Sequence, residues 1–76
     1  MTGVDLDLHQ VRAFVVAADH GHFGRAADAM FLTQQALSKR IARLEDDIGV
    51  LFRRGPTGVT LTPAGARFLT LARNLL

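Results

Sequence analysis

The stretch that decides the fold is TQQALSKRIARL, residues 33–44. Leu37, Ile41 and Leu44 recur at the spacing of a helix that packs along one side. At about 100° per residue, the opposite side carries amides, a hydroxyl group, cations and one very small residue, namely Gln35, Ser38, Lys39, Ala42 and Arg43. The pattern therefore predicts a helix with a core side and a polar side of mixed chemistry.

That mixture suits the major groove of DNA. Glutamine pairs bidentately with adenine, Lys or Arg donates to guanine, and Ser suits several base edges. The acidic run Glu45-Asp46-Asp47 would repel phosphates, and Asp46 lies roughly 10 Å along the axis from Lys39 at 1.5 Å per residue. We therefore expect the N-terminal half of the helix to enter a groove. The alternative is an ordinary solvated face, which the short preceding turn and the following hairpin disfavour.

The flanking sequence predicts the other elements. Thr33 is the expected N-cap of this helix and Gly49 its stop. A first helix is expected over residues 8–20, between Asp7 and Gly21, and a second over residues 25–30 with Gly24 as its cap. Strands are expected at residues 51–54 and 59–61, and a last helix from Pro63 onward, capped by Thr62. This order predicts a mainly α, winged helix-turn-helix fold: a three-helix core, a β-hairpin wing and a C-terminal linker helix.

Length and composition limit the function classes. The chain has 76 residues, no cysteine and a net charge of +2, with four acidic and two basic residues in its first half and three acidic and seven basic in its second. The basic half favours an anionic partner. The longest apolar run, residues 13–18, is too short to span a membrane. Residues 1–7 lack the cations of a secretory signal. We expect a soluble, cytoplasmic domain.

Catalytic and metal-binding patterns are weak. His20 and His22 with Asp19 lack further ligands, and Ser38 has no His–Asp pair nearby in the sequence. The segments GHFG and GPTG lack the lysine and spacing of a phosphate-binding loop. We therefore predict no enzyme activity, no cofactor and no metal.

The last helix is apolar over a wide arc. Residues Ala64, Phe68, Leu71 and Leu75 form one stripe, and Leu69, Ala72 and Leu76 form a second beside it. Together they span roughly 160°, more than the roughly 100° that one packing contact explains. A deeply buried helix is one explanation. We instead predict pairing with the same helix of a second subunit, through Phe68, Leu69, Ala72 and Leu76.

Motifs across nearly the whole chain resemble the DNA-binding domain of LysR-type transcriptional regulators. The family's fixed positions are occupied by Phe23, Ala26-Ala27, Thr33-Gln34, Ala36-Leu37-Ser38, Ile41, Leu44-Glu45, Leu51-Phe52, Arg54 and the run LTPAG at residues 61–65. The resemblance implies a winged helix-turn-helix over residues 1–62 and the start of a linker or dimerisation helix over residues 63–76. The much larger C-terminal domain that binds a small-molecule inducer in this family is absent from this chain, so we expect an excised DNA-binding fragment.

The resemblance also implies partners and contact residues. It implies a homodimer, with higher oligomers in the full-length protein, on inverted half-sites of bacterial promoter or operator DNA. Groove contacts are implied for Gln34, Gln35, Ser38 and Lys39, a phosphate contact for Thr33, and a minor-groove or backbone contact for Arg54. From the residues alone we add Arg43 and Arg53 as candidates. Because successive strand side chains alternate, we expect only one of Arg53 and Arg54 to reach DNA.

Four departures from the family pattern stand out. Gly24 replaces a hydroxyl residue, which removes a phosphate contact, and Gln35 stands where proline or serine is common. One residue is absent before Leu51, and Thr57 replaces a frequent arginine.

The alternatives to a LysR-type DNA-binding domain are a winged helix of another regulator class, a non-specific architectural DNA binder, and a protein–protein adaptor. The spacing from Thr33 to Ser38 argues against another regulator class. The amides on the exposed side of the third helix argue against a non-specific binder, and the polar character of that side argues against an adaptor.

Overall fold

Four helices and one hairpin make up residues 7–76, the part of the chain that this computed structural model describes. In chain order they are α1 (Leu8–His20), α2 (Phe23–Ala29), α3 (Gln34–Ile48), β1 (Phe52–Gly55), β2 (Gly58–Leu61) and α4 (Pro63–Leu75). The predicted winged helix-turn-helix is confirmed. The prediction about a secretory signal falls almost wholly on residues outside the described range.

Three helices begin where their capping residues predict. The Asp7 carboxylate accepts the His9 N–H at 2.8 Å, the Thr33 hydroxyl accepts the Ala36 N–H at 3.1 Å, and the Thr62 hydroxyl accepts the Gly65 N–H at 3.0 Å. Each bond satisfies an N–H that the helix itself leaves unpaired. These boundaries depend on local chemistry, which explains why the sequence predicted them.

The second helix corrects a prediction. It begins at Phe23, two residues before the predicted start, and its N-cap is His22 rather than Gly24. The His22 Nδ1 atom accepts the backbone N–H of Arg25 at 3.3 Å. An imidazole can take this part because an unprotonated ring nitrogen is a hydrogen-bond acceptor.

The core lies where α1, α2, α3 and the wing meet. Leu37, Ile41 and Leu44 of α3 are fully buried against it. Four aromatic rings continue it toward the wing and α4, with centroid distances of 5.3 Å for Phe14–Phe52, 5.3 Å for Phe14–Phe68 and 5.4 Å for Phe23–Phe52. Such tilted and edge-to-face pairs stabilise beyond the area they bury, so the aromatic cluster fixes the wing against the helices.

The wing is a two-stranded antiparallel hairpin that docks on the end of α1. Its register pairs Phe52 with Leu61 and Gly55 with Gly58, so β1 starts one residue later and β2 one residue earlier than predicted. The Val59 N–H donates to the Gly21 carbonyl at 3.0 Å. Gly58 has φ 142°, and a Cβ there would overlap the Gly21 carbonyl oxygen. Glycine is therefore required at this approach.

The last helix buries one side in its own domain. Gly65, Phe68 and Ala72 are buried, whereas Leu71 and Leu75 are 60% and 49% exposed. An ion pair at 2.6 Å between Arg73 and Asp19 also joins α4 to α1. Within residues 7–76, no helix is long and apolar enough to cross a membrane.

Candidate nucleic-acid interface

The third helix separates core residues from polar residues as the sequence predicts. Its buried residues are Leu37, Ile41 and Leu44. The side chains of Gln34, Gln35, Lys39, Ala42 and Arg43 are exposed, and Ser38 is half-buried. The exposed side therefore presents hydrogen-bond donors and acceptors that take no part in core packing.

Four of the predicted base-contacting residues form one surface. Gln34, Gln35, Ser38 and Lys39 line a single open concavity at the N-terminal half of α3. Thr33 directly precedes Gln34 in the chain, and its hydroxyl oxygen caps α3 by accepting the Ala36 N–H. Because the oxygen accepts in that bond, its own O–H stays available to donate. The arrangement presents two amides, a hydroxyl group and an ammonium side by side.

The flank of α3 adds a second basic surface. A cleft of about 310 Å³ lies between α3 and the start of α1, lined by Asp7, His9, Gln10, Ala36, Lys39, Arg40 and Arg43. Arg43 is one turn beyond Lys39 on the same helix, and a DNA contact from Arg43 stays a prediction. Asp7 is the acidic residue in this lining, and its carboxylate is engaged in capping α1.

The two wing arginines have different surroundings. Both are exposed, but the Arg54 guanidinium carbon lies 4.5 Å from the centre of the Phe23 ring, a cation–π contact. Arg54 also lines a cleft with Gln34, the first residue of α3, whereas Arg53 does not. The structure thus brings Arg54, and not Arg53, beside the N-terminal end of α3.

Glu45 makes structural hydrogen bonds that its sequence context did not predict. Its Oε2 atom accepts the backbone N–H groups of Leu51 at 2.8 Å and Phe52 at 3.1 Å. Nearby, the Thr62 hydroxyl donates to the Val50 carbonyl at 2.7 Å, and the Leu51 carbonyl accepts the Thr62 N–H at 3.0 Å. These bonds connect the end of α3 to the start of β1 and to α4. Asp46 and Asp47 remain exposed.

The residues predicted for dimerisation are not all on the surface. Phe68 is 8% exposed and Ala72 is fully buried in the domain's own core, while Leu69 packs partly against it. Leu76 is 57% exposed, and Leu71 and Leu75 are exposed as well. The structure therefore assigns Phe68 and Ala72 to the domain's own packing. The large apolar residues exposed at the C-terminal end of the chain are Leu71 and Leu75 of α4 and Leu76 directly after it.

Two residues near the interface escaped the sequence analysis. His22 was considered only as a metal ligand, and Glu45 only as a negative charge and as a position of the family pattern. The short separation of His22 from Arg25 fits a capping interaction and could have signalled it. No local signal could have revealed the bonds of Glu45, because its partners lie six and seven residues away. Among the described residues, no group of three or more His, Asp or Glu side chains is placed to hold a metal ion.

Comparison with known proteins assigns this architecture to one family. Residues 8–66 match the model for the bacterial regulatory helix-turn-helix protein, lysR family. The SDS degradation transcriptional activation protein of Pseudomonas sp. (strain ATCC 19151) is 52% identical over 71 residues, which cover 92% of this chain and 23% of that protein. The chain spans about a quarter of the length of the curated relatives it matches.

Two solved structures share the fold. The CbnR_DBD–DNA complex superposes with a TM-score of 0.88 at 32% identity, covering 92% of this chain and 82% of that one. The BenM_DBD/benA site 1 DNA complex superposes with a TM-score of 0.85 at 35% identity, covering 92% of this chain and 80% of that one. Both likenesses extend over the helices and the wing together.

Proposed function

This chain belongs to the lysR family of bacterial regulatory helix-turn-helix proteins, and we propose that it binds specific sequences of double-stranded DNA as part of a transcription regulator. In this proposal the N-terminal half of α3 enters the major groove. The observation that carries it is the concavity formed by Gln34, Gln35, Ser38 and Lys39. Their amides, hydroxyl group and ammonium are the groups that distinguish base edges in the major groove.

The positions of the charges support the same orientation. Lys39 and Arg43 lie on the exposed side of α3, and Arg54 lies beside the helix start. The exposed carboxylates Asp46 and Asp47 lie at the opposite end, where phosphate repulsion is smallest. With α3 in the groove, Arg54 is the wing cation that meets the DNA backbone or minor groove. Such a contact adds affinity that depends on salt and not on sequence.

We further propose that the chain acts as a homodimer through α4. Leu71 and Leu75 are one turn apart and together present an exposed apolar surface. Two copies joined there would present two α3 helices to inverted half-sites about one helical turn apart, roughly 34–36 Å. The buried contacts of Phe68 and Ala72 set the direction of α4, and the exposed ion pair between Arg73 and Asp19 adds a weak link to α1.

The relatives support a regulatory rather than catalytic role. The SDS degradation protein is described as a transcriptional activation protein, and our proposal gives this chain no catalytic step, cofactor or metal. Bacterial promoter DNA lies in the cytoplasm, and the proposed function therefore places the protein there.

The test is selection of bound duplexes from a randomised pool at moderate salt, followed by sequencing. We expect enrichment of a motif with two inverted half-sites, because a dimer would contact base edges twice. Retained DNA without a motif would instead identify a non-specific architectural binder. No retention even at low salt would contradict DNA binding and favour an adaptor function.

A further inference from the structure

A small cleft separates the wing from the helix-turn-helix. It measures about 170 Å³ and is lined by His22, Phe23, Gln34, Arg54, Gly55, Pro56, Gly58 and Val59. All of these residues are neutral or basic. The cleft therefore combines one cation with two uncharged side chains able to donate hydrogen bonds, His22 and Gln34.

The cation in this cleft is held in place. The Arg54 guanidinium carbon lies 4.5 Å from the centre of the Phe23 ring, and Phe23 itself is only 4% exposed. Phe23 packs edge-on against Phe52, at the start of the same strand. A cation that rests on a buried ring loses less side-chain freedom on binding than one extended into water. Arg54 is thus already positioned at the cleft.

The hydrogen bond of His22 defines what its ring offers the cleft. Its Nδ1 atom accepts the Arg25 N–H at 3.3 Å, so the neutral ring carries its proton on Nε2. That assignment follows from the hydrogen-bond network. His22 is exposed and lines the cleft. Its Nε2–H is therefore a hydrogen-bond donor that the capping of α2 does not use.

Gly24 makes room for this ring. A Cβ built at Gly24 would lie 3.0 Å from His22 Cε1, 3.2 Å from His22 Nδ1 and 3.4 Å from Gln34 Oε1. The imidazole and the Gln34 amide thus share the space above Gly24. A side chain at position 24 would therefore crowd His22 first and Gln34 next.

We propose that this cleft holds one phosphate of the DNA backbone, with His22 donating to it through Nε2–H beside the Arg54 guanidinium. The inference rests on the proposed function. If α3 lies in the major groove and the wing lies at the neighbouring backbone or minor groove, the strand between those grooves passes between α3 and the wing. The cleft lies at that crossing. His22 is then a DNA-binding residue as well as the N-cap of α2.

The test begins with the 76-residue chain and the duplex chosen by selection. His22→Ser keeps an oxygen that caps α2 and removes the imidazole Nε2–H. The serine keeps an O–H of its own, but that group stands at the capping position, where Nδ1 lies in wild type, and not at the Nε2 position. Since a hydrogen bond to a charged acceptor contributes on the order of tenfold in affinity, we expect His22→Ser to bind about tenfold more weakly to selected and scrambled duplexes alike. Thermal unfolding of the variant checks that the cap is retained. Affinity equal to wild type would contradict the proposal.

His22→Ala is the matched variant, because it removes the cap and the donor together. If His22 acted only as a cap, Ser would restore the affinity that Ala loses, and the proposal would fail. We expect Ser and Ala to bind DNA equally weakly while Ser unfolds at the higher temperature. Wild-type binding to the unmodified duplex separates the two claims: its absence rejects the proposed function, whereas its presence with an unaffected His22→Ser rejects only this inference.

Salt dependence and phosphate replacement locate the contact. A neutral donor releases no counterion, so His22→Ser should leave the slope of log affinity against log salt unchanged, whereas Arg54→Ala should reduce it by about one. A set of duplexes, each with one neutral methylphosphonate, should contain a position where wild type loses about tenfold more affinity than His22→Ser, because both proteins lose the Arg54 contact there and only wild type also loses the His22 contact. Equal losses for both proteins at every position would overturn the assignment.

A phosphate group could also come from free inorganic phosphate. The side-chain NMR signals of His22 distinguish these sources when phosphate replaces chloride at constant ionic strength. We expect the signals to move on addition of duplex and not on addition of millimolar phosphate. Saturation by millimolar phosphate would make the cleft a site for the free ion and overturn the backbone assignment.

Discussion

Lys39 and Gln34 occupy the exposed side of α3 and line the same concavity as Gln35 and Ser38. Neither side chain belongs to the buried core. A substitution at either position therefore changes what the helix offers to DNA without removing a packing contact. Residue-scale effects on recognition can thus be measured without a confounding loss of stability.

Lys39→Ala and Gln34→Ala should each weaken binding to the selected duplex by about 1–3 kcal/mol, the value of a good base contact. On a scrambled duplex the loss should be much smaller, because no matched base edge is present. Fluorescence anisotropy on both duplexes measures the difference. Equal losses on the two duplexes would reassign the residue to the DNA backbone.

Glu45 acts on stability rather than on recognition. Its Oε2 atom accepts two backbone N–H groups, from Leu51 and Phe52, at partly buried positions. Glu45→Ala should lower the free energy of unfolding by about 2–3 kcal/mol, because both donors lose their partner. Glu45→Gln keeps one acceptor oxygen and should lose less. Urea unfolding measures both variants, and an alanine variant within about 0.5 kcal/mol of wild type would show that water replaces the carboxylate.

The elements were predictable to different degrees, and capping chemistry explains much of the difference. Asp7, Thr33 and Thr62 fixed three helix starts because each cap acts within three residues of itself. The predicted start of α2 was two residues too late because histidine is not a usual N-cap residue. The strands differ from the prediction by one residue, and the Glu45 bonds to Leu51 and Phe52 at the start of β1 have no local sequence signal.

The faces of α4 could not be predicted from periodicity. Its two apolar stripes are similar in composition, and only the docking partners decide which one is buried. Phe68 meets Phe14 of α1, and a Cβ at Gly65 would overlap the Leu51 carbonyl oxygen. Those contacts turn Phe68 and Ala72 inward and leave Leu71 and Leu75 outside. The partners lie far away in sequence, beyond the reach of a local pattern.

In the proposed function, the wing contributes to DNA binding through Arg54. Arg54→Ala should weaken binding to all duplexes by a similar factor and lower the salt slope by about one, since one phosphate contact is lost. Arg53→Ala is the matched control, because Arg53 lies outside the cleft beside α3. Titrations at several salt concentrations measure both slopes. An unchanged slope for Arg54→Ala would remove this residue from the interface.

At the scale of the whole molecule, α4 decides how two domains could meet on one operator. Leu71→Glu should convert a dimer into a monomer, because a carboxylate would be buried in the proposed apolar contact. Sedimentation velocity measures the change. Ala66→Glu, at an exposed position of the same helix two residues before Phe68, serves as a charge control. A Leu71→Glu protein that still sediments as a dimer would contradict pairing through this surface.

The division of α3 into a buried and an exposed side also bears on how such proteins diverge. Leu37, Ile41 and Leu44 maintain the fold, while Gln34, Gln35 and Lys39 lie outside the core. Mutations on the exposed side can therefore accumulate at little cost in folding. A duplicated gene could acquire a new promoter preference by drift at a few codons, with the scaffold inherited unchanged.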